Sequence, residues 1–288
     1  MAEDFGEVIC TRCKKYSSKL DISCSLIREF EINLEYTFAR CKKYSSKLDI
    51  SCSLIRIFVK INRYYTMLKI AKLTFNPILE NTYILWDESG ECIVVDAGNL
   101  SAREDNRLVD YITEQGLKPV MAVNTHGHFD HLVGVEHLKR TFDIPFAMSS
   151  KDAFLLEAAP SSARMFGVSD ASFPETIDID LDGMEELHFG NTVLKVIPTP
   201  GHTPGCVALY NEQMGVVLTG DTLFRESIGR TDLPGGDYSW IMRSILEKLI
   251  VLGDEVKVYP GHGEETTIGH ESLYNPFIVE VINKEVNF

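Results

Sequence analysis

From residue 67 onward the chain alternates short apolar runs with turn residues. Runs rich in β-branched and aromatic residues predict strands at 68–75, 83–86, 92–96, 120–125 and 144–148. Further strands are predicted at 193–198, 206–210, 216–218 and 256–259. Apolar residues recurring at helical spacing predict helices at 105–115, 132–141, 151–158 and 238–249. Strands dominate, helices are interspersed, and no long linker intervenes. The pattern implies sheet layers flanked by helices, an α/β fold (α+β in arrangement), in one domain spanning 67–288.

The first 66 residues read differently. Residues 12–28, from Arg12 to Arg28, recur unchanged as residues 40–56. Two copies are fewer than a solenoid needs, and perfect identity points to copied DNA rather than to a structural repeat. Between the copies, Phe30, Ile32, Leu34, Tyr36 and Phe38 alternate with polar residues as in a strand. We read 1–66 as a duplicated, basic extension and Met67 as the start of the functional domain.

Charge sharpens that division. Residues 1–66 carry 12 Lys and Arg against 8 Asp and Glu, whereas the remainder carries 16 against 34. So acidic a body is ill suited to a polyanion, and no nucleic-acid partner is expected. No apolar run approaches the roughly 18 residues of a membrane span, so no membrane partner is expected either. The acidic start Met1-Ala2-Glu3-Asp4 leads into no apolar segment, so no secretory signal is expected and the cytoplasm is the expected location. Cys10 and Cys13 lack the two further ligands of a closed zinc site. Cys92 and Cys206, in strand-like runs, read as core residues. Nothing in the pattern speaks to oligomeric state.

The densest chemistry lies in Thr125-His126-Gly127-His128-Phe129-Asp130-His131. Three imidazoles and a carboxylate follow a predicted strand, the usual place for a site in layered α/β proteins. His126 and His128, two apart, can point the same way in extended backbone, while Asp130 and His131 address a neighbouring position. One loop can thus begin two metal sites. Three more candidates stand where strands end: His202 in Thr199-Pro200-Gly201-His202-Thr203-Pro204-Gly205, Asp221 in Thr219-Gly220-Asp221-Thr222, and His262 in Pro260-Gly261-His262-Gly263. In each case Gly or Pro precedes the ligand and bends the chain sharply.

The order His-x-His-x-Asp-His, His, Asp, His resembles the metallo-β-lactamase superfamily over Met67 to about Phe277. Asp96-Ala97-Gly98, Gly220-Asp221-Thr222-Leu223-Phe224 and the run from Ile228 to Asp237 are most similar to its glyoxalase II branch, in the short, single-domain bacterial form. The resemblance implies an αββα sandwich with its site at one edge of two facing sheets. It implies that His126, His128 and His202 hold one metal, that Asp130, His131 and His262 hold a second, and that Asp221 bridges them. Only 26 residues follow His262, too few for the helical glutathione-binding domain of the long glyoxalase II enzymes, so an open cleft is expected.

A nitrogen and carboxylate ligand set suits two divalent ions, Zn²⁺ with Fe or Mn also admitted. Two such ions sharing a water lower its pKa from 15.7 toward about 7, so a bridging hydroxide can attack an acyl carbon. The implied reaction is hydrolysis of a small-molecule thioester such as S-lactoylglutathione. Asp130, His131 and Asp221 are the expected catalytic set. Arg230 occupies the branch's basic substrate-binding position, with an ion pair to Asp232 or Asp237 as the competing role. Thr125 and Thr203 are expected to support ligands, and Asn81 to serve a turn, with a hydrogen bond near the loop as its other reading. His137 falls on a helix-like run, and His188 and His270 in turn-like contexts; all three read as ordinary polar residues. Alternatives are a mononuclear-iron persulfide dioxygenase using His126, His202 and Asp221, and another superfamily hydrolase acting on a lactone or nucleic acid.

Overall fold

The computed structural model describes residues 67–169 and 171–286. The duplicated segment, its cysteines and the strand pattern at 30–38 lie outside the described residues.

Among the described residues the strands form two six-stranded sheets and one short hairpin. The first sheet contains β1 (Lys69–Phe75), β2 (Glu80–Trp86), β3 (Glu91–Val95), β4 (Lys118–Val123), β5 (Phe146–Met148) and β6 (Ile179–Asp180), in that order. Strands β1 to β3 pair antiparallel and β3 to β6 parallel. Parallel neighbours need crossovers, and helices supply them. These are α1 (Ala102–Glu114), the split pair α2 (Phe129–Leu132) and α3 (Val135–Phe142), and α4 (Ala153–Met165).

The second sheet is built from β7 (Glu186–Phe189), β8 (Thr192–Pro198), β9 (Val207–Asn211), β10 (Val216–Gly220), β13 (Lys257–Pro260) and β14 (Thr266–Thr267). Its order is β14-β13-β10-β9-β8-β7, with only β10 and β13 parallel. The hairpin is β11 (Leu223–Phe224) with β12 (Ser227–Ile228). Helices α5 (Tyr238–Ser244), α6 (Ile268–Tyr274) and α7 (Pro276–Val286) complete the chain.

Side-chain alternation produces the layers. Ile84 and Val94 join the cluster under the first set of helices, while Leu85, Ile93 and Val95 point to the opposite face. That second cluster is shared with Leu187, Phe189, Leu194, Val196, Leu209 and Leu218 of the other sheet, so it is the filling between the sheets. Ala208, Val217 and Val258 turn outward and pack with Ile241, Ile245 and Ile268 in a third cluster. Both faces of both sheets are therefore covered, which explains continuous apolar runs in place of clean alternation with polar residues. Each fully buried Leu or Ile contributes about 1.5–3 kcal/mol. The architecture is the expected αββα sandwich.

Several assignments depart from expectation. The helix expected at 132–141 breaks into α2 and α3, because Gly134 lies against Asn99 and donates its N–H to Ala97 O at 2.7 Å. Strand β2 begins at Glu80, earlier than its apolar stretch, because polar residues there are buried. His188 lies on β7 and His270 on α6, not in turns. Strands β6, β7, β11, β12 and β14 and helices α6 and α7 were not anticipated.

Candidate metal centre

The loops after β3, β4, β8, β10 and β13 all open at one edge of the sandwich. Asp96, closing β3, sits at φ 53, a left-handed conformation that is uncommon outside glycine. Its carboxylate repays the strain by accepting from the Thr125 N–H at 2.7 Å and from Thr125 Oγ1 at 2.7 Å. Thr125 Oγ1 also lies 3.1 Å from His126 Nδ1, within reach to orient that ring. Asn124 donates to the carbonyl of His131 at 2.8 Å, which ties the end of the loop to its start.

His202 follows Gly201, whose φ of 141 and contact with Ile241 exclude a side chain. Its Nδ1 faces the carbonyl of Arg230 at 2.7 Å, which leaves Nε2 turned to His128 Nδ1 at 2.8 Å. Gly220, at φ 50, presses on Thr125 and delivers Asp221 into the cluster. The Asp221 carboxylate lies 3.5 Å from His131 Nε2, 3.5 Å from His202 Nε2, 3.6 Å from His262 Nε2 and 4.0 Å from His126 Nε2. Asp130 Oδ2 approaches His262 Nε2 at 3.3 Å and His131 Nε2 at 3.7 Å.

All seven expected residues therefore converge. Their donor atoms form three groups able to hold a cation: His126, His128 and His202; His126, His131 and Asp221; and Asp130, His131 and His262. The donors also fit a divalent ion by what they lack. His126 Nε2 and Asp221 Oδ1 are fully buried with no hydrogen-bond partner, an arrangement that ordinary folding avoids.

Electrostatics divides the cluster. Burial, reinforced by His131, pushes His126 well down, and burial with His202 pushes His128 down to about 4. Burial alone would lower His131, yet Asp221, Asp130 and Asp96 outweigh it and raise its pKa well above the usual histidine range. His262 is raised as well, burial being outweighed by its bond to Asp130 and the charge of Asp221. Burial would raise Asp130 and Asp221, but His131 beside both reverses the sign and holds them ionised.

Arg230 does not enter this cluster with its side chain. Its guanidinium donates to both oxygens of Asp232 at 2.7 Å each, the ion pair expected as its competing role. The Asn81 expectation is corrected: it lies inside β2, not in a turn. Its Nδ2 donates to Pro260 O at 3.1 Å and Gly263 O at 2.9 Å, bracketing His262. Thr203 serves indirectly, donating to Asp152 at 2.6 Å. Cys206 is core as expected, and burial pushes its thiol far up.

Three supporting groups had no sequence reading. Asp152, completely buried, accepts from Gly127 N at 2.9 Å, Thr203 Oγ1 at 2.6 Å and Gly205 N at 2.7 Å, joining the loops of His126 and His202. Glu80, also completely buried, faces His131, and burial raises its pKa well above the carboxylate range. Asn124 ties down His131 as described. None belongs to a spacing motif, so only three-dimensional neighbours expose them.

Comparison with known proteins agrees with the geometry. Residues 76–262 match the metallo-beta-lactamase superfamily, and the chain belongs to it. Members of this superfamily bind divalent metals and include metallo-hydrolases, which marks the chain as an enzyme. It is 36% identical over 214 residues to hydroxyacylglutathione hydrolase GloC of Haemophilus influenzae, covering 73% of this chain and 98% of that one. The BLEG-1 B3 metallo-beta-lactamase crystal structure aligns with a TM-score of 0.68 at 34% identity, over 73% of this chain and 99% of that one. TTHA1623 in a di-iron-bound form aligns with a TM-score of 0.63 at 36% identity, over 72% and 99%. No helix among the described residues is long and apolar enough to cross a membrane.

Proposed function

We propose that this protein is a metal-dependent thioester hydrolase acting on substrates such as S-lactoylglutathione. The observation that carries the reading is the position of Asp221, within 4.0 Å of four imidazoles drawn from three separate loops. A residue so placed suits two cations, one held with His126, His128 and His202, the other with Asp130, His131 and His262. Zn²⁺ fits the donors, and Fe or Mn is compatible. When bound, such a pair supplies Lewis acidity and water acidified toward a pKa of about 7. Similarity to GloC supports the thioester as substrate.

The chain's own residues do the rest. Asp130, ionised and beside His262, orients the attacking water toward the acyl carbon. His131 and Asp221 hold that edge of the site in place. A thiolate leaves without a dedicated general acid, and none is needed from the protein. Cys206 is no nucleophile, since its Sγ accepts from the Thr203 N–H at 3.3 Å and its thiol is held protonated. Arg230 is the candidate for a substrate carboxylate, in exchange for Asp232. Met67 opens the functional domain.

Purified protein analysed for metal, with thioester turnover, β-lactam turnover and oxygen uptake followed in parallel, tests the reading. Two metals with thioester turnover are expected. One iron with oxygen consumption would replace it by a dioxygenase. Preference for a β-lactam, the activity named for BLEG-1, would replace the substrate but keep the hydrolase.

A further inference from the structure

We propose that Glu80 is a positioning residue: its buried carboxyl group, together with Asp96, holds the ring proton of His131 at Nδ1 and leaves Nε2 free for a cation shared with Asp130 and His262. The inference rests on the metal-centre reading above and adds to it the group that prepares one half of the site.

Glu80 is 0% exposed, and no Lys or Arg among the described residues pairs with it. Its Oε2 accepts from Thr82 Oγ1 at 2.8 Å, which fixes the rotamer. Its Oε1 has no hydrogen-bond partner and stands 3.9 Å from His131 Nδ1, itself buried without a hydrogen bond. Asp96 Oδ2 is nearer, at 3.3 Å, but it already accepts from Thr125. Two acidic groups thus face one ring nitrogen, and Glu80 Oε1 is the oxygen of the four with no other partner.

The other imidazoles are treated differently. Nδ1 of His126 faces a hydroxyl, and Nδ1 of His202 faces a carbonyl. The tautomer of a histidine ligand is set by what its second nitrogen meets, and an acceptor there raises the basicity of the first. Glu80 also pairs through its backbone with the backbone of His262, so one residue faces the His131 ring and braces the chain that carries His262. Space is kept for it: a Cβ at Gly98 would collide with the Glu80 carboxyl. A buried acid with an orphaned oxygen costs stability, so packing does not account for it.

Glu80→Leu and Glu80→Gln in the full chain test the role. Metal-free proteins would be titrated with Co²⁺, following visible absorption, metal content and thermal midpoint. Wild type is expected to bind two equivalents. Glu80→Leu should weaken one of them about 10- to 100-fold, the scale for a ligand's supporting partner, and leave the other unchanged. Its metal-free form should melt no lower than wild type. Glu80→Gln, which restores an oxygen, should recover most of the affinity. Unchanged affinities, a lower metal-free midpoint with both equivalents weakened, or Glu80→Gln no better than Glu80→Leu would each overturn the proposal. Wild type taking up no metal would instead remove the metal-centre reading, and this inference with it.

Discussion

His128 Nδ1 and His202 Nε2 stand 2.8 Å apart, although 74 residues separate them in the chain. His202 is buried and His128 half-buried, and His128 has a pKa pushed down to about 4, so at neutral pH it carries no charge. The other nitrogen of His202 needs its proton for the Arg230 carbonyl, which turns a lone pair toward His128. Convergent lone pairs are a cation site in waiting. His202→Ala should therefore lower metal content and reduce thioester kcat/KM by at least about 100-fold, the upper scale for losing even a supporting partner. Elemental analysis with steady-state kinetics checks this; full metal content in the variant would contradict it.

The two halves of the centre should respond to pH in opposite degree. His126 and His128 are lowered, so protons do not compete for them near neutrality. His131 and His262 are raised, so in the metal-free protein each must release a proton before it binds. Affinity at the group containing Asp130 should rise as pH increases from 6 to 8, by up to about a hundredfold per unit for two released protons, and more steeply than at the group containing His126 and His128. Zn²⁺ titration calorimetry in buffers of different ionisation enthalpy reads the protons directly. Equal proton release at both steps would refute the assignment.

Most of this architecture is legible in the chain because apolar runs mark every long strand. All nine predicted strands are present; four of the seven converging residues lie in the loop after β4, and His202, Asp221 and His262 each stand directly after a glycine. What escapes is short or polar. Strands β6, β11, β12 and β14 have two residues each, too few for any periodicity. Glu80 and Asn81 hide because buried polar residues in a strand carry no apolar signature. Asp152 lies 22 residues beyond Asp130, and nothing in its neighbourhood announces that it joins two distant loops. Supporting groups are chosen by packing in space, whereas ligands are chosen by the turn that presents them.

Asp152 provides the sharpest stability test. Its two oxygens satisfy two buried backbone N–H groups and one hydroxyl, all in loops that carry expected ligands. Truncation orphans these donors at once. Asp152→Ala should cost about 3 kcal/mol, or about 10 °C in thermal midpoint for a domain of this size. Metal loss at His126 and His202 should accompany it. Asp152→Asn, which keeps one acceptor, should fall between. A midpoint within about 2 °C of wild type would show that the loops hold without it.

The extension before Met67 should be dispensable for chemistry. The superfamily match begins at residue 76, inside the domain that the apolar pattern opens at 67. A chain starting at Met67 is expected to retain metal and thioester turnover within about twofold of the full chain, since no site residue is removed. Loss of either would place residues 1–66 within the functional unit.

Arg230 separates two roles in one residue. Its carbonyl receives His202, whereas its guanidinium is bound to Asp232, with both side chains more than half exposed, at 57% and 67%. An exposed pair of this kind contributes little to stability, so a substrate carboxylate can take Asp232's place at small cost. Arg230→Ala keeps the carbonyl and removes only the guanidinium. It should leave the thermal midpoint and kcat unchanged and raise KM for S-lactoylglutathione about fivefold to tenfold, the mark of binding shared by substrate and transition state. A thioester without carboxylates should show no change in KM. If both substrates behave alike, or neither responds, the guanidinium serves Asp232 alone and the substrate's charge is met elsewhere.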